Sequence, residues 1–358
     1  MVYNTRSEGL QKGEPSRYIY QLRYSSNYKI NHINYAYRID PFPIKRIVAG
    51  KLPETYQELN KYRQHSGTSF LSPSALNTYL NCRLRFYFKY VEGMQEPVDV
   101  EEEIESNVFG SILHKSMDIL YSDFSEKNMN REDLIRIKKD TNLINTAIDS
   151  AFATVFFGKS EMKKEEIRGR NMIVKRVIEK YLSGILDYDI RSAPFHIHSL
   201  EKRYEYVLND ITIGGYIDRL DEKEGSVRVI DYKTGKANSV FKNIDDLFEC
   251  NPGKRNNSVF QTFLYSWLLH KKGDYSIIQP SLYFVRDIYN EKFDHRIFQS
   301  VNRNRKPVND FKEFSEEFEK RLTILVNDLF DSSVPFTQTE DTSYCMNCPY
   351  NKICMKNT

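Results

Sequence analysis

Long apolar runs are missing from this chain: no window approaches the roughly 18 to 20 consecutive apolar residues of a membrane-spanning helix. The opening residues MVYNTRSEGL lack the apolar core of a signal peptide, so a cytoplasmic location is expected and no membrane partner. No G-x-x-x-x-G-K-[ST] phosphate loop occurs, and ATP hydrolysis is therefore not expected of this piece. An excess of one charge is also missing, since 52 Lys and Arg against 49 Asp and Glu leave +3 at pH 7. Bulk electrostatics then argue neither for nor against a polyanionic partner, and any phosphate-binding surface must be a local patch. Cysteines number only five, and the two C-x-x-C knuckles usual in a zinc ribbon are reduced to one.

What is present describes a globular protein. The 358 residues are 40% hydrophobic and 28% charged, enough for one large or two ordinary domains. Most of the 25 Tyr and 22 Phe belong in a core, with some left to stack on bases.

The stretch Gly215 to Gly235, GYIDRLDEKEGSVRVIDYKTG, reads as a β-hairpin: Tyr216 to Leu220, a turn at Glu222 to Gly225, then Val227 to Lys233. Alternation puts Val227, Val229, Asp231 and Lys233 on one face of the second strand and Arg228, Ile230 and Tyr232 on the other. Two carboxylates, Asp218 and Asp231, can hold Mg²⁺, which prefers oxygen ligands, and Lys233 can orient a water or steady charge on a phosphate. Taken alone, the same residues also describe an exposed hairpin with an ordinary ion pair.

GYIDRLD followed by VIDYKTG resembles the motif pair of the PD-(D/E)XK nuclease superfamily, in particular its RecB-like branch. FGSILH upstream, with Gly110 and His114, and QTFLY downstream, with Gln261 and Tyr265, match the branch's histidine helix and Q-x-x-x-Y helix in order and spacing. The resemblance implies an α/β, restriction-endonuclease-like core, a central mixed β-sheet flanked by helices, with a helical insertion. It implies that His114, Asp218 and Asp231 ligate Mg²⁺ or Mn²⁺, that Lys233 is the catalytic lysine, and that Gln261 and Tyr265 support the lysine or the DNA. Glu201 stands where many members carry a further acid. Read singly, His114 on an apolar helix is also an ordinary core histidine and Gln261 an ordinary surface amide.

Along the chain, residues 1–66 are expected to be an N-terminal extension. The run Gly13 to Arg17 is similar to the end of the helicase-like portion of AddB-type proteins, which suggests the tail of such a domain. The nuclease domain is expected over 67–358. It opens with a helix from Leu71 to Tyr90, capped by Ser72 with Pro73 at its first position. The acidic run Asp99 to Glu105 reads as a solvated loop, and Gly110 as a close packing point against the sheet. A helical insertion is expected over about 125–192, where Val174, Val177, Ile178, Tyr181, Leu182 and Ile185 keep a helical spacing. Its polar face, with Lys163, Lys164, Arg168, Arg170, Lys175 and Arg176 among glutamates, reads as solvated. Strands are expected at His196 to Leu208, Ile211 to Asp218, Ile277 to Val285 and Asp294 to Val301, and helices at Asn257 to His270 and Asp310 to Phe330. His196 and His198 share a strand face but show no acid partner in sequence. A basic loop with Lys236, Lys242, Lys254 and Arg255, and the cluster Arg303, Arg305 and Lys306, suit phosphate contacts or solvated loops equally.

Cys345, Cys348 and Cys354 form C-x2-C-x5-C, a spacing compatible with zinc plus a fourth ligand or with an iron–sulfur cluster. RecB-like nucleases with an iron–sulfur staple carry one cysteine before the core and three after it. By that resemblance Cys82, Cys345, Cys348 and Cys354 would hold a 4Fe-4S cluster that clips the C-terminal tail to the helix around Cys82, closing a loop of more than 250 residues. Arg83 departs from the proline that often follows the first cysteine, and Cys250 is left as an inert thiol.

The resemblance extends to AddB-type proteins. It implies a DNA exonuclease acting on linear single- or double-stranded ends beside an AddA-like helicase-nuclease partner, in double-strand break repair and recombination. A catalytically quiet DNA-end-binding scaffold and a stand-alone CRISPR-associated-type exonuclease are the alternative readings; the first would be expected to lack the lysine or an acid, and none is missing here.

Overall fold

Strand alternation in the hairpin governs the architecture, because its two faces feed two different cores. In the computed structural model, strands run over Lys127–Met129 (β1), Phe195–Leu208 (β2), Ile211–Lys223 (β3), Ser226–Lys233 (β4) and Ile278–Phe284 (β6), with the short Val240–Phe241 (β5) between the last two. The main sheet has the order β1-β2-β3-β4-β6. Its first three pairings are antiparallel and β4 runs parallel to β6, so the sheet is mixed. A second, three-stranded sheet joins β5 to the hairpin of Phe298–Val301 (β7) and Asn304–Pro307 (β8). The β3–β4 turn is two residues long, Glu224 and Gly225, both at positive φ, which matches the twist of a tight hairpin.

The described residues are all except 1–6, 9–10, 13–15, 26, 30, 32–45, 65–68, 96–103, 160–166, 237, 251–254 and 356–358. Contacts divide the chain into residues 1–45 and 46–358. In the first unit Ser7–Glu8 pairs with Gln11–Lys12, and Arg17–Ser25 is a helix with no buried residue. Gly13 to Pro15 of the helicase-like run, Asp99 to Glu103 of the acidic run, Lys163, Lys164 and Lys254 lie outside the described residues. In the second unit, Leu59 and Tyr62 are buried in the sheet's core.

Val227 and Val229 face a core built with helices Pro73–Asn81 (α1), Asn257–Lys272 (α6) and Ser315–Phe330 (α7). Ile230 and Tyr232 face the other core, formed by Ser106–Tyr121 (α2), Arg131–Lys139 (α3), Thr141–Val155 (α4) and Arg170–Ser192 (α5). Helices thus cover both faces, as the expected α/β core requires. The apolar stripe of α5 behaves as its spacing predicts, with Ile178, Leu182 and Ile185 buried.

Several features differ from expectation: the strand expected from Asp294 forms only over Phe298–Val301, and the helix expected from Asp310 opens as a 3-10 turn, Phe311–Phe314, before Ser315–Phe330. The helix predicted over Leu71 to Tyr90 is broken at Cys82, whose extended backbone (φ −161°, ψ 111°) ends α1 and caps a short helix at Arg83–Phe86, with Sγ accepting from Arg85 N–H. Helix propensity does not reveal a break at a single extended residue inside a good helical pattern. The insertion also donates the edge strand β1, which pairs with Phe195 to Ile197. Among the described residues no helix is long and apolar enough to cross a membrane.

Candidate active site

Each functional side chain is delivered by a regular element. Asp218 lies on β3, one position past the last ladder pair with β4, Arg219–Ile230; Asp231 and Lys233 lie on β4. Lys233 Nζ is 2.7 Å from Asp231 Oδ2 and 3.1 Å from Gln261 Oε1, while Gln261 Nε2 donates to Asp231 Oδ1 at 3.0 Å and to Tyr265 Oη at 3.3 Å. Gln261 and Tyr265 are one turn apart on α6, so one helix face reads out onto the strand. The amide's two ends suit their partners: oxygen to the ammonium, nitrogen to the carboxylate.

His114 comes from α2. Its Nε2 lies 2.8 Å from the Tyr232 carbonyl, which only accepts, so Nε2 carries a proton and Nδ1 is turned to Asp218 Oδ2 at 3.3 Å. Asp218 Oδ2 also accepts from Tyr232 N–H at 2.9 Å. One ligand atom each from His114, Glu201 and Asp218 lie within 4.8 Å of one another. Glu201 enters because β2 holds it at φ +43°, between the ladder pairs Leu200–Arg219 and Lys202–Ile217. Such a backbone is costly for a residue other than glycine, and residues held that way cluster at functional sites.

The electrostatics separate the acids. Burial pushes the Asp218 carboxyl up, but the neighbouring His114 and then Lys233 carry it below the usual carboxylate range. Burial raises Asp231 in spite of Lys233, with the Asp218 charge adding to the rise. Burial, then Asp218, lifts Glu201 to about 7. For His114, burial pulls the imidazole down, but Asp218 outweighs it and raises the group to about 9. A crowd of acids held this way is what a cation relieves. Asp231 Oδ2 is buried and paired with Lys233 Nζ at 2.7 Å, while Oδ1 accepts from Gln261.

The glycine that matters for space is Gly215 rather than Gly110. A Cβ on Gly110 would stand 3.4 Å from Thr234 Oγ1, an ordinary contact, whereas one on Gly215 would meet Tyr265 Cε1 at 2.7 Å. Gly215→Ala is therefore expected to push Tyr265 off Gln261 and loosen the aim of Lys233. The expected loss in kcat on DNA is about 100-fold, typical of a misplacement near 1 Å, with DNA affinity little changed. A kcat/KM split measured on the purified variant checks it.

Other expected features fall elsewhere. His198 does have an acid partner, Glu222 at 2.9 Å across the β2–β3 pair, and His196 meets Asn128; neither belongs to a three-ligand group among the described residues. Arg255 is buried, donating to Asn77 and Asn81 of α1, and so does not lie on a surface phosphate track. Lys236 and Lys242 are exposed near β5, as are Arg303 and Arg305 at the β7–β8 turn, while Lys306 pairs with Glu313 at 3.0 Å. Cys82, Cys345, Cys348 and Cys354 line one small cavity, together with Arg85 and Tyr344, and Cys250 is exposed apart from it. Burial pushes the Cys354 thiol up, and the three neighbouring cysteines add to the rise.

A sequence model of the PD-(D/E)XK nuclease superfamily matches residues 70–355. The chain belongs to that superfamily. Within this nuclease superfamily domain, the mixed sheet flanked by helices is the expected restriction-endonuclease-like arrangement. Curated relatives include an ATP-dependent helicase/deoxyribonuclease subunit from Streptococcus agalactiae serotype Ia, 28% identical over 166 residues, which cover 46% of this chain and 14% of the relative. The protein of the same name from Streptococcus mutans serotype c is 27% identical over 176 residues, with the same two coverages. That of Streptococcus uberis is 24% identical over 179 residues, covering 49% and 15%. The nuclease chain thus spans about one-seventh of the length of the curated relatives it matches.

Proposed function

We propose that this chain is a metal-dependent deoxyribonuclease that digests linear DNA from its ends, as the nuclease part of a helicase–nuclease working in double-strand break repair and recombination. One observation supports it above the others: three ligand side chains, His114, Glu201 and Asp218, converge, while Asp231, which lies outside that group, pairs with a lysine held by Gln261. This donor set of carboxylate oxygens and one imidazole suits Mg²⁺ or Mn²⁺. Bound there, a divalent cation supplies Lewis-acid charge that polarises a phosphodiester.

The chain's own residues do the rest. Three donors belong to the Lys233 ammonium; two face Asp231 and Gln261, and the third would serve the attacking water or a phosphate oxygen. Gln261 fixes that aim, and Tyr265 fixes Gln261. Lys236, Lys242, Arg303 and Arg305 supply phosphate contacts along the strand's exit. The names of the relatives support an AddA-like helicase-nuclease partner, and a cytoplasmic site of action goes with it. Linear DNA is expected to disappear in Mg²⁺ or Mn²⁺ while a covalently closed circle survives. Equal cutting of the circle would contradict digestion from ends, and no cutting of either in both metals would contradict a nuclease.

We also infer that Cys82, Cys345, Cys348 and Cys354 hold a 4Fe-4S cluster. Four thiols around a single cavity fit a four-thiolate donor set. The cluster would act as a structural clip between the C-terminal tail and the helix break at Cys82. Anaerobically purified protein is expected to carry about four iron atoms and matching sulfide; values near zero would contradict this.

A further inference from the structure

The side of the sheet facing away from Lys233 carries a second polar assembly, fully buried. Asp189 of α5 has no exposed surface, and three elements converge on its carboxylate. Oδ2 accepts from Tyr121 Oη of α2 at 2.7 Å and from Arg219 Nη1 of β3 at 2.7 Å. Oδ1 accepts from Arg219 Nη2 at 3.1 Å and from Tyr283 Oη of β6 at 3.2 Å. Arg219, also fully buried, pairs in addition with Asp221 and donates to Tyr232 Oη at 3.1 Å.

Two of the three partners sit on elements that carry a residue of the candidate metal site. Tyr121 is two helical turns beyond His114 on α2, and Arg219 is the chain neighbour of Asp218. Tyr232 closes the path through its backbone, whose N–H holds Asp218 and whose carbonyl holds His114. Asp189 touches none of the metal-site side chains, yet it is bonded to the elements that carry two of them. Buried charges make such an assembly rigid, because any slackening strands an unpaired ion in a medium of low polarity.

We propose that Asp189 is the positioning residue of the metal site: one carboxylate on the helical insertion sets the spacing of α2, β3 and the Tyr232 backbone, and so sets metal affinity. The proposal rests on the metal-site reading above. It makes the insertion part of the active site's framework rather than an appendage.

The test is Mn²⁺ affinity, measured without DNA by electron paramagnetic resonance, on wild type, Asp189→Asn, Tyr121→Phe and Leu182→Ala, alongside the Tm of each in EDTA. Leu182 is buried on the same helix but outside the polar assembly, so its variant lowers stability without touching the assembly. Asp189→Asn is expected to weaken Mn²⁺ binding about 10- to 100-fold, as loss of outer-shell partners does. Tyr121→Phe, which strands no charge, is expected to weaken it several-fold and carries the test if Asp189→Asn fails to fold. Leu182→Ala is expected to lower Tm and leave Mn²⁺ affinity within about twofold. Wild-type affinity in Tyr121→Phe and Asp189→Asn, or an equal loss in Leu182→Ala, would overturn the positioning role alone. Absence of Mn²⁺ binding by wild type would overturn the metal-site reading and this proposal with it.

Discussion

Asp218→Asn is expected to remove divalent metal binding and DNA hydrolysis together while the chain stays folded. The substitution keeps the side chain's shape and its acceptor for Tyr232 N–H, but replaces one charged oxygen with a donor where a cation would sit. Asp218 is also the acid shared by His114 and Glu201 in the compact ligand group, so no neighbour replaces it. Loss of a principal carboxylate should weaken Mn²⁺ binding by at least about 100-fold, beyond the range of an outer-shell change. Activity should fall by roughly 1,000-fold or more, the scale of removing a main electrostatic stabiliser. Calorimetric Mn²⁺ titration and DNA digestion on the same preparation check both halves.

Lys233→Ala should separate the two effects. The amine holds Asp231 and Gln261 but is not a metal ligand, so the variant is expected to bind Mn²⁺ at least as well as wild type, having lost a competing cation 2.7 Å from Asp231. Hydrolysis is expected to drop about 1,000-fold. Lys233→Arg should not restore it, because a planar guanidinium cannot reproduce the point-like ammonium aimed between an amide and a carboxylate. Stability should change little, since the Lys233 side chain is 21% exposed and its loss leaves Asp231 with the Gln261 amide.

Much of the site was legible because its chemistry lies on regular elements. Alternation on β4 separates Val227 and Val229 from Ile230 and Tyr232, and the two sets enter different cores. The four-residue spacing of Gln261 and Tyr265 becomes a hydrogen bond, and Ser72 caps α1 through Ala75 N–H. Less legible was whatever depends on irregular backbone or on the third dimension. Glu201 reaches Asp218 and His114 through a left-handed residue in a strand, which no periodicity announces. The break at Cys82 lies inside a good helical pattern. The Asp189 assembly left one trace in the sequence: Arg219 and Asp221 alternate onto the face of β3 that meets an apolar core, where charges need buried partners. Asp189, the partner of Arg219 on α5, reads as a routine helix acid until the fold brings it to the sheet.

The most direct test of the central claim is digestion of end-labelled linear DNA by wild type and Lys233→Ala side by side, in Mg²⁺, in Mn²⁺ and in EDTA. The account predicts labelled fragments from wild type with either metal, none in EDTA, and a rate about 1,000-fold lower from Lys233→Ala. Cleavage that persists in EDTA, or at a rate near wild type in the lysine variant, would contradict it.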